Sequence, residues 1–363
     1  MRRIAAAATL AFLLGSLISP LRASSPEIVL QPGESYTVTV RAATAPPSVP
    51  APTAAPTAVP TASPTAAPTA APTAVPTVAP SVDPWAVAFG TRPVSGPIVL
   101  SGAACQGIVI EGKTFANLGL NVNAIRLTGC NGVTIRNNDF LNVAQGVTVT
   151  TSTNVRIERN RYRNILGPHA RVGINRGDFV QFISTTGYIG YNKGEGIAGE
   201  DPEDLISIYQ SYGTQANPIV IEYNAFEGSA WTSTSGSGIM LGDGGGSWQI
   251  ARYNTLLTPG QVGIGVASGT NISVIGNTLY GEGRTGSNVG ISVWNQYATP
   301  CSNITVSGNK ARWWKANGTR AEFWSVAPGV AGYCGPIVND TPEFPTGNDY
   351  STPVLPASIA VNL

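Results

Sequence analysis

The ionisable side chains are few and unevenly placed, and their placement is the first pointer to chemistry. Among 363 residues, 11% are charged, and there is a single histidine. Any reaction must therefore lean on carboxylates, Arg, Lys, Tyr and amides. Two stretches gather an unusual share of these groups: 166–177 carries His169, Arg171 and Arg176, and 193–203 carries Lys193, Glu195, Glu200, Asp201 and Glu203. Asp178 and Asp204 follow these stretches directly, and a third stretch, 227–237, carries Trp231. If Asp178 and Asp204 stand one structural repeat apart, their carboxyls lie ~5 Å from one another. Such a pair can share a proton, hold Ca²⁺ together with Glu203 through oxygen ligands, or act as the acid and nucleophile of a retaining glycosidase. It can equally accept turn amides at strand entrances, and alternation from Val180 aims Asp178 inward.

The same set allows eliminative cleavage of a uronic-acid polymer, with Arg171, Arg176, Lys193 or His169 as base and the acids holding Ca²⁺. Other chemistries drop out. Formal net charge is +1 without a Lys/Arg run, so the electrostatic footprint of a nucleic-acid binder is missing. Four cysteines with no CxxC pair and one histidine exclude the common zinc frameworks.

The elements that must position these residues repeat along the chain. Gly146-Val147-Thr148-Val149 leads to Asn154–Asn160, Gly263-Ile264-Gly265-Val266 to Asn271–Asn277, and Gly290-Ile291-Ser292-Val293 to Asn303–Asn309. Looser copies end at Asn138, Asn192, Asn224 and Asn254, with Lys113 in that place in the first copy. Spacings of 22 to 32 residues are too short for a domain, and the units are too strand-rich for a helical repeat. Stacked units that bury one another's apolar faces solve this as a parallel β-solenoid. The inward pairs are then Val155/Ile157, Ile272/Val274 and Ile304/Val306. Asn suits the turn because it tolerates left-handed backbone and its amide can bond the next Asn along the stack.

In its Asn positions 138, 160, 192, 224, 254, 277 and 309 the chain resembles the pectate-lyase-like right-handed parallel β-helix superfamily, over roughly Ile98 to Trp314. The resemblance implies an all-β fold of about eight coils, with a groove along the first strand of each coil and walls built by insertions. It does not carry catalytic residues across. The Asn-Thr-Asp, Asp-Asp and Gly-His-Gly set of polygalacturonases is missing, as is the Trp-x-Asp-His set of pectate lyases.

Aligning the first strands stacks Gln181, Ser207, Met240, Gly265 and Ser292 in one outward column. A second outward column holds Tyr209 and Trp294, with Gly242 and Ala267 between them. This reads as a shallow trough with aromatic platforms for sugar rings, in which Tyr209, Trp294, Asn295, Asp243 and Trp231 are the substrate-binding candidates. Asp178, Glu203, Asp204, Arg176 and His169 are the catalytic candidates. Asp243 lies six positions beyond the Asp204 column, which puts it far from Asp204 along a straight strand. Cys105 with Cys130 and Cys301 with Cys334 are each about one coil apart, so both pairs are expected as disulfide staples between neighbouring coils. From Arg320 onward, Phe323, Trp324 and Cys334 are expected to cap the open sheet edge.

Upstream, Arg2 and Arg3 precede an apolar run from Ile4 to Ile18, and Ala23 offers a cleavage site, which makes 1–23 a secretory signal. Residues 24–44 form a short β-prone segment, 45–83 an Ala-Pro-Thr linker, and 84–363 the solenoid with its C-terminal cap. No later stretch is long and apolar enough to span a membrane. The expectation is an exported monomer, secreted, periplasmic or on the cell surface. It would act on a polysaccharide as lyase or glycoside hydrolase, with Ca²⁺ as the one cofactor in play. The alternative is a non-catalytic glycan-binding or structural solenoid.

Overall fold

A computed structural model describes residues 87–167, 177–196, 202–228 and 236–363. All of these fall within the compact unit Pro76–Leu363. The expected signal, β-prone segment and linker lie outside the described residues, as do His169, Arg171, Arg176, Glu200, Asp201 and Trp231.

Strands succeed one another in threes and pair in parallel with their counterparts one turn away, so the chain winds as a solenoid with three rows of strands. The first row runs from Ile98–Ser101 and Asn123–Thr128 to Val289–Val293 and Phe323–Ser325. The second runs from Val109–Glu111 to Ile337–Val338, and the third from Thr114–Ala116 to Lys310–Trp313. The first row reaches one strand further than the repeat pattern shows. Phe323–Ser325 pairs with Ile291–Val293, so Trp324 extends the sheet rather than capping it.

The parallel register turns sequence periodicity into vertical columns. Ile125, Val147, Val180, Ile206, Ile239, Ile264 and Ile291 form one inward column of the first row, each fully buried. Ile135, Ile157, Ile189, Ile221, Ala251, Val274 and Val306 form the matching column of the second. Burial of each branched side chain contributes about 1.5–3 kcal/mol. Only stacking makes that burial available to so short a unit.

The asparagines close the turn between the second and third rows. Asn138, Asn160, Asn192, Asn224, Asn254, Asn277 and Asn309 are all buried. Each donates its side-chain amide to the Oδ1 of the next, at 2.9–3.0 Å. Asn348, which the repeat pattern does not reveal, ends the ladder by accepting from Asn309 at 2.9 Å. At the other end the Lys113 backbone N–H donates to Asn138 Oδ1. The residue before each ladder Asn has positive φ, as at Arg159, Tyr191, Tyr223 and Tyr253. Tyr191, Tyr223 and Tyr253 consequently stack on the outside of the turn, 5.1 and 5.2 Å apart.

Both disulfides form as the coil spacing requires, Cys105–Cys130 with Cα atoms 5.3 Å apart and Cys301–Cys334 with 4.6 Å. The N-terminal edge is held by a buried ion pair in which Arg161 donates to both oxygens of Asp139. Arg161 also reaches the Val87 carbonyl, and Gly90 N–H donates to Asp139. Among the described residues no helix is long and apolar enough to cross a membrane.

Candidate active-site cleft

The outward side of the first row carries a cleft of about 970 Å³. Its floor is the column Arg126, Thr148, Gln181, Ser207, Met240, Gly265, Ser292 and Trp324. Seven inter-coil steps of ~4.8 Å give a trough about 34 Å long. Five of these eight residues are the ones that strand alignment alone predicts.

The second outward column departs from that alignment. Pairing between Asp204–Tyr212 and Ser237–Arg252 is irregular, and Tyr209 stands opposite Asp243 rather than Gly242. Gly242 has φ 61°, and a Cβ there would lie 1.9 Å from the Ser268 carbonyl oxygen, so no side chain fits. Simple alternation cannot foresee this bulge. It delivers Asp243 into the cleft opposite Tyr209, where alternation puts Gly242. Its carboxylate is close enough to help raise the Asp204 pKa.

The acids occupy different depths. Asp178 is fully buried beneath the floor and does not line the cleft. Its Oδ1 accepts the Asp204 backbone N–H at 3.0 Å, while its Oδ2 has no hydrogen-bond partner among the described residues. Burial, and then the negative charges of Asp204 and Glu203, hold its pKa well above the usual carboxylate range. Asp204 does line the cleft, with 6% of its surface exposed. Its Oδ1 accepts from both the backbone N–H and the hydroxyl of Ser237, each at 2.6 Å. Burial and the neighbouring Glu203 and Asp243 raise its pKa, against the opposing pull of the Ser237 bonds. Glu203 and Asp243 also line the cleft.

Aromatic rings flank these acids. Tyr209, Tyr297, Trp294, Phe323 and Trp324 all line the cleft. Trp294 and Trp324 meet edge to face, 6.3 Å between centroids, and each is nearly half exposed. Tyr297 donates its hydroxyl to Asp243 Oδ1. Asn295 does not line the cleft: its side-chain amide donates to the Thr299 carbonyl and its Oδ1 accepts Tyr297 N–H, so it shapes the loop that carries Tyr297. Neutral amides and hydroxyls, including Gln181, Gln261, Asn288 and Gln296, fill much of the remaining lining, with Arg126, Lys315 and Arg320 also present.

The Ca²⁺ expectation finds no cage. Among the described residues no three His, Cys, Asp or Glu side chains converge on a common point. Asp178 and Asp204 also each direct one oxygen to a backbone amide rather than to a shared centre. Trp324 and Tyr297 are the residues that sequence reasoning missed. The signal for the first was a ninth first-row strand, and for the second an insertion ending at the stapled Cys301.

A family model described as a right-handed beta helix region matches residues 123–311. The chain belongs to the right-handed β-helix family. No curated protein matches this β-helix chain in sequence. Among solved structures it is similar to catalytic domains of GH87 alpha-1,3-glucanase. An alanine variant in complex with tetrasaccharides is 12% identical, with a TM-score of 0.35, covering 70% of this chain and 57% of that chain. A complex with nigerose is 13% identical, with a TM-score of 0.32 and coverage of 70% and 56%. A second alanine variant with tetrasaccharides is 13% identical, with a TM-score of 0.33 and coverage of 72% and 62%. The chain thus spans less than two thirds of the length of each.

Proposed function

We propose that this β-helix protein is exported and hydrolyses a polysaccharide laid along the first-row cleft. The observation that carries the reading is the meeting of Glu203, Asp204 and Asp243 with Tyr209, Trp294, Tyr297 and Trp324 in one trough. The trough runs across the coils, so a polymer chain lies lengthwise in it with aromatic faces beneath its sugar rings. Asp204 has the environment of a general acid, since burial and like charges favour the protonated form. It gives its proton to the glycosidic oxygen as that bond breaks. Asp243 is the opposing carboxylate, and the separation of the two in the substrate complex decides between direct activation of water and a covalent glycosyl intermediate. Hydrolysis needs two carboxyls at the sugar chain, and Asp204 and Asp243 both line the cleft. Two disulfides fit an oxidising compartment.

One observation favours a second reading. The hydrogen bonds from Asp204 N–H to Asp178 and from Ser237 to Asp204 tie the strand entrances of neighbouring coils together, which is what a purely structural solenoid that only holds glycan would need. Incubation of the mature protein with a panel of neutral and acidic polysaccharides, with and without EDTA, separates these outcomes. New reducing ends, independent of EDTA, without the ultraviolet absorbance of an unsaturated uronide support hydrolysis. That absorbance would mean a lyase, and retention on glycan without cleavage the binding module. Asp204→Asn and Asp243→Asn are expected to abolish turnover while leaving the fold intact.

A further inference from the structure

The segment after the first-row strand Val289–Val293 forms a bracket whose parts hold one another in place. Trp294 N–H donates to Val266 O and Gln296 N–H to Ala267 O, which ties the bracket to the preceding coil. Asn295 bonds Thr299 O and Tyr297 N–H from within and, through its backbone N–H, Gly332 O from the following segment. Gly332 lies against the Trp294 indole so closely that a Cβ would come within 2.6 Å of the ring. The Cys301–Cys334 disulfide closes the bracket at its base. It carries Tyr297 over the short intervening coil to Asp243, 54 residues earlier in the chain.

We propose that Tyr297 is a positioning residue, delivered by this stapled bracket, that orients Asp243 and holds it in its ionised form for the hydrolysis proposed above. A carboxylate that accepts a hydrogen bond is favoured in its charged state, and Tyr297 supplies that bond. Among the described residues, the titratable groups facing Asp243 include Tyr297 from the bracket, Tyr209 from the neighbouring strand, and Asp204, Glu203 and Asp178 around the entrance of the first row. The acids among them oppose ionisation of Asp243, and the phenol works in its favour. The phenol's own proton is held correspondingly tightly, by burial and then by the charge of Asp243.

The inference rests on the hydrolytic reading, and its test has a readout independent of it. In Tyr297→Phe, kcat/KM is expected to fall on the order of tenfold, as for loss of one hydrogen bond to a charged group. The acidic limb of the pH profile is expected to move to higher pH while KM changes little. Carboxyl NMR titration of Asp243, assigned with Asp243→Asn, is expected to move the same way whether or not a substrate is known. Circular dichroism verifies that the variant folds. An unchanged Asp243 titration in folded Tyr297→Phe overturns the inference. A shifted titration in a protein that cleaves nothing overturns the hydrolytic reading alone.

Discussion

Replacing Asn224 by alanine tests the ladder on which the coil stacking depends. The side chain makes four hydrogen bonds in a fully enclosed site. Its amide donates to Ile189 O at 3.1 Å and Asn254 Oδ1 at 2.9 Å. Its Oδ1 accepts from Asn192 N–H at 3.0 Å and the Asn192 amide at 2.9 Å. Alanine leaves three buried groups short of a partner, namely the Asn192 backbone N–H, one Asn192 amide hydrogen and the Ile189 carbonyl. Asn254 Oδ1 keeps the Asn224 backbone N–H. At about 1–3 kcal/mol for each orphaned group, softened by local relaxation, the expected loss is about 4 kcal/mol. That is a large fraction of the roughly 5–15 kcal/mol that holds a domain folded. Asn224→Asp is expected to be no rescue, because it restores the acceptor for Asn192 but turns a carboxylate oxygen toward Ile189 O and Asn254 Oδ1. Exposed Asn339 supplies the control, and Asn339→Ala is expected to stay within about 0.5 kcal/mol. Urea unfolding followed by circular dichroism measures all three. A loss below about 1 kcal/mol for Asn224→Ala would refute the reasoning.

Two further outcomes follow from the cleft. Asp178 has a folded pKa well above its ordinary 3.8, so the folded state binds more protons than the unfolded state between those two values. Its contribution to stability is therefore present at low pH and lost as pH rises from about 4 through the raised value. Asp178→Asn keeps the acceptor for Asp204 N–H without the charge, so its melting temperature should gain on the wild type as pH rises, and a gap constant with pH would contradict this. Trp324→Ala, made in an Asp204→Asn background, should weaken oligosaccharide binding roughly tenfold by titration calorimetry. Tyr212→Ala, which changes an exposed ring outside the cleft lining, should leave it unchanged.

The repeat was legible because its physical cause is local. An Asn that must adopt or adjoin a left-handed turn, followed by alternating branched residues, writes the coil into the sequence, and the outward column from Gln181 to Ser292 follows by alignment. Asn348 was not legible, because 39 residues without the repeat pattern separate it from Asn309. Asp243 was misplaced for a different reason. Alternation counts residues, and a bulge adds one without changing composition, although the glycine run from Gly244 to Gly246 marked the backbone as irregular. Tyr297 meets Asp243 only because a loop folds back across an intervening coil, which no local pattern records. The acids at 203 and 204 stand out in the sequence because charge is scarce in this chain. The different depths of the aspartates were not legible, since burial and hydrogen bonding, rather than residue type, distinguish a fully buried Asp178 from a cleft-lining Asp204.

The most direct measurement is a crystal structure of Asp204→Asn soaked with an oligosaccharide from the polymer that the wild type cleaves. The expected result is a sugar chain lying along the floor from Thr148 to Trp324, with one glycosidic oxygen about 3 Å from the side chain at position 204. A chain bound elsewhere, for instance along the exterior Tyr191–Tyr223–Tyr253 stack with the first-row cleft empty, would contradict the account.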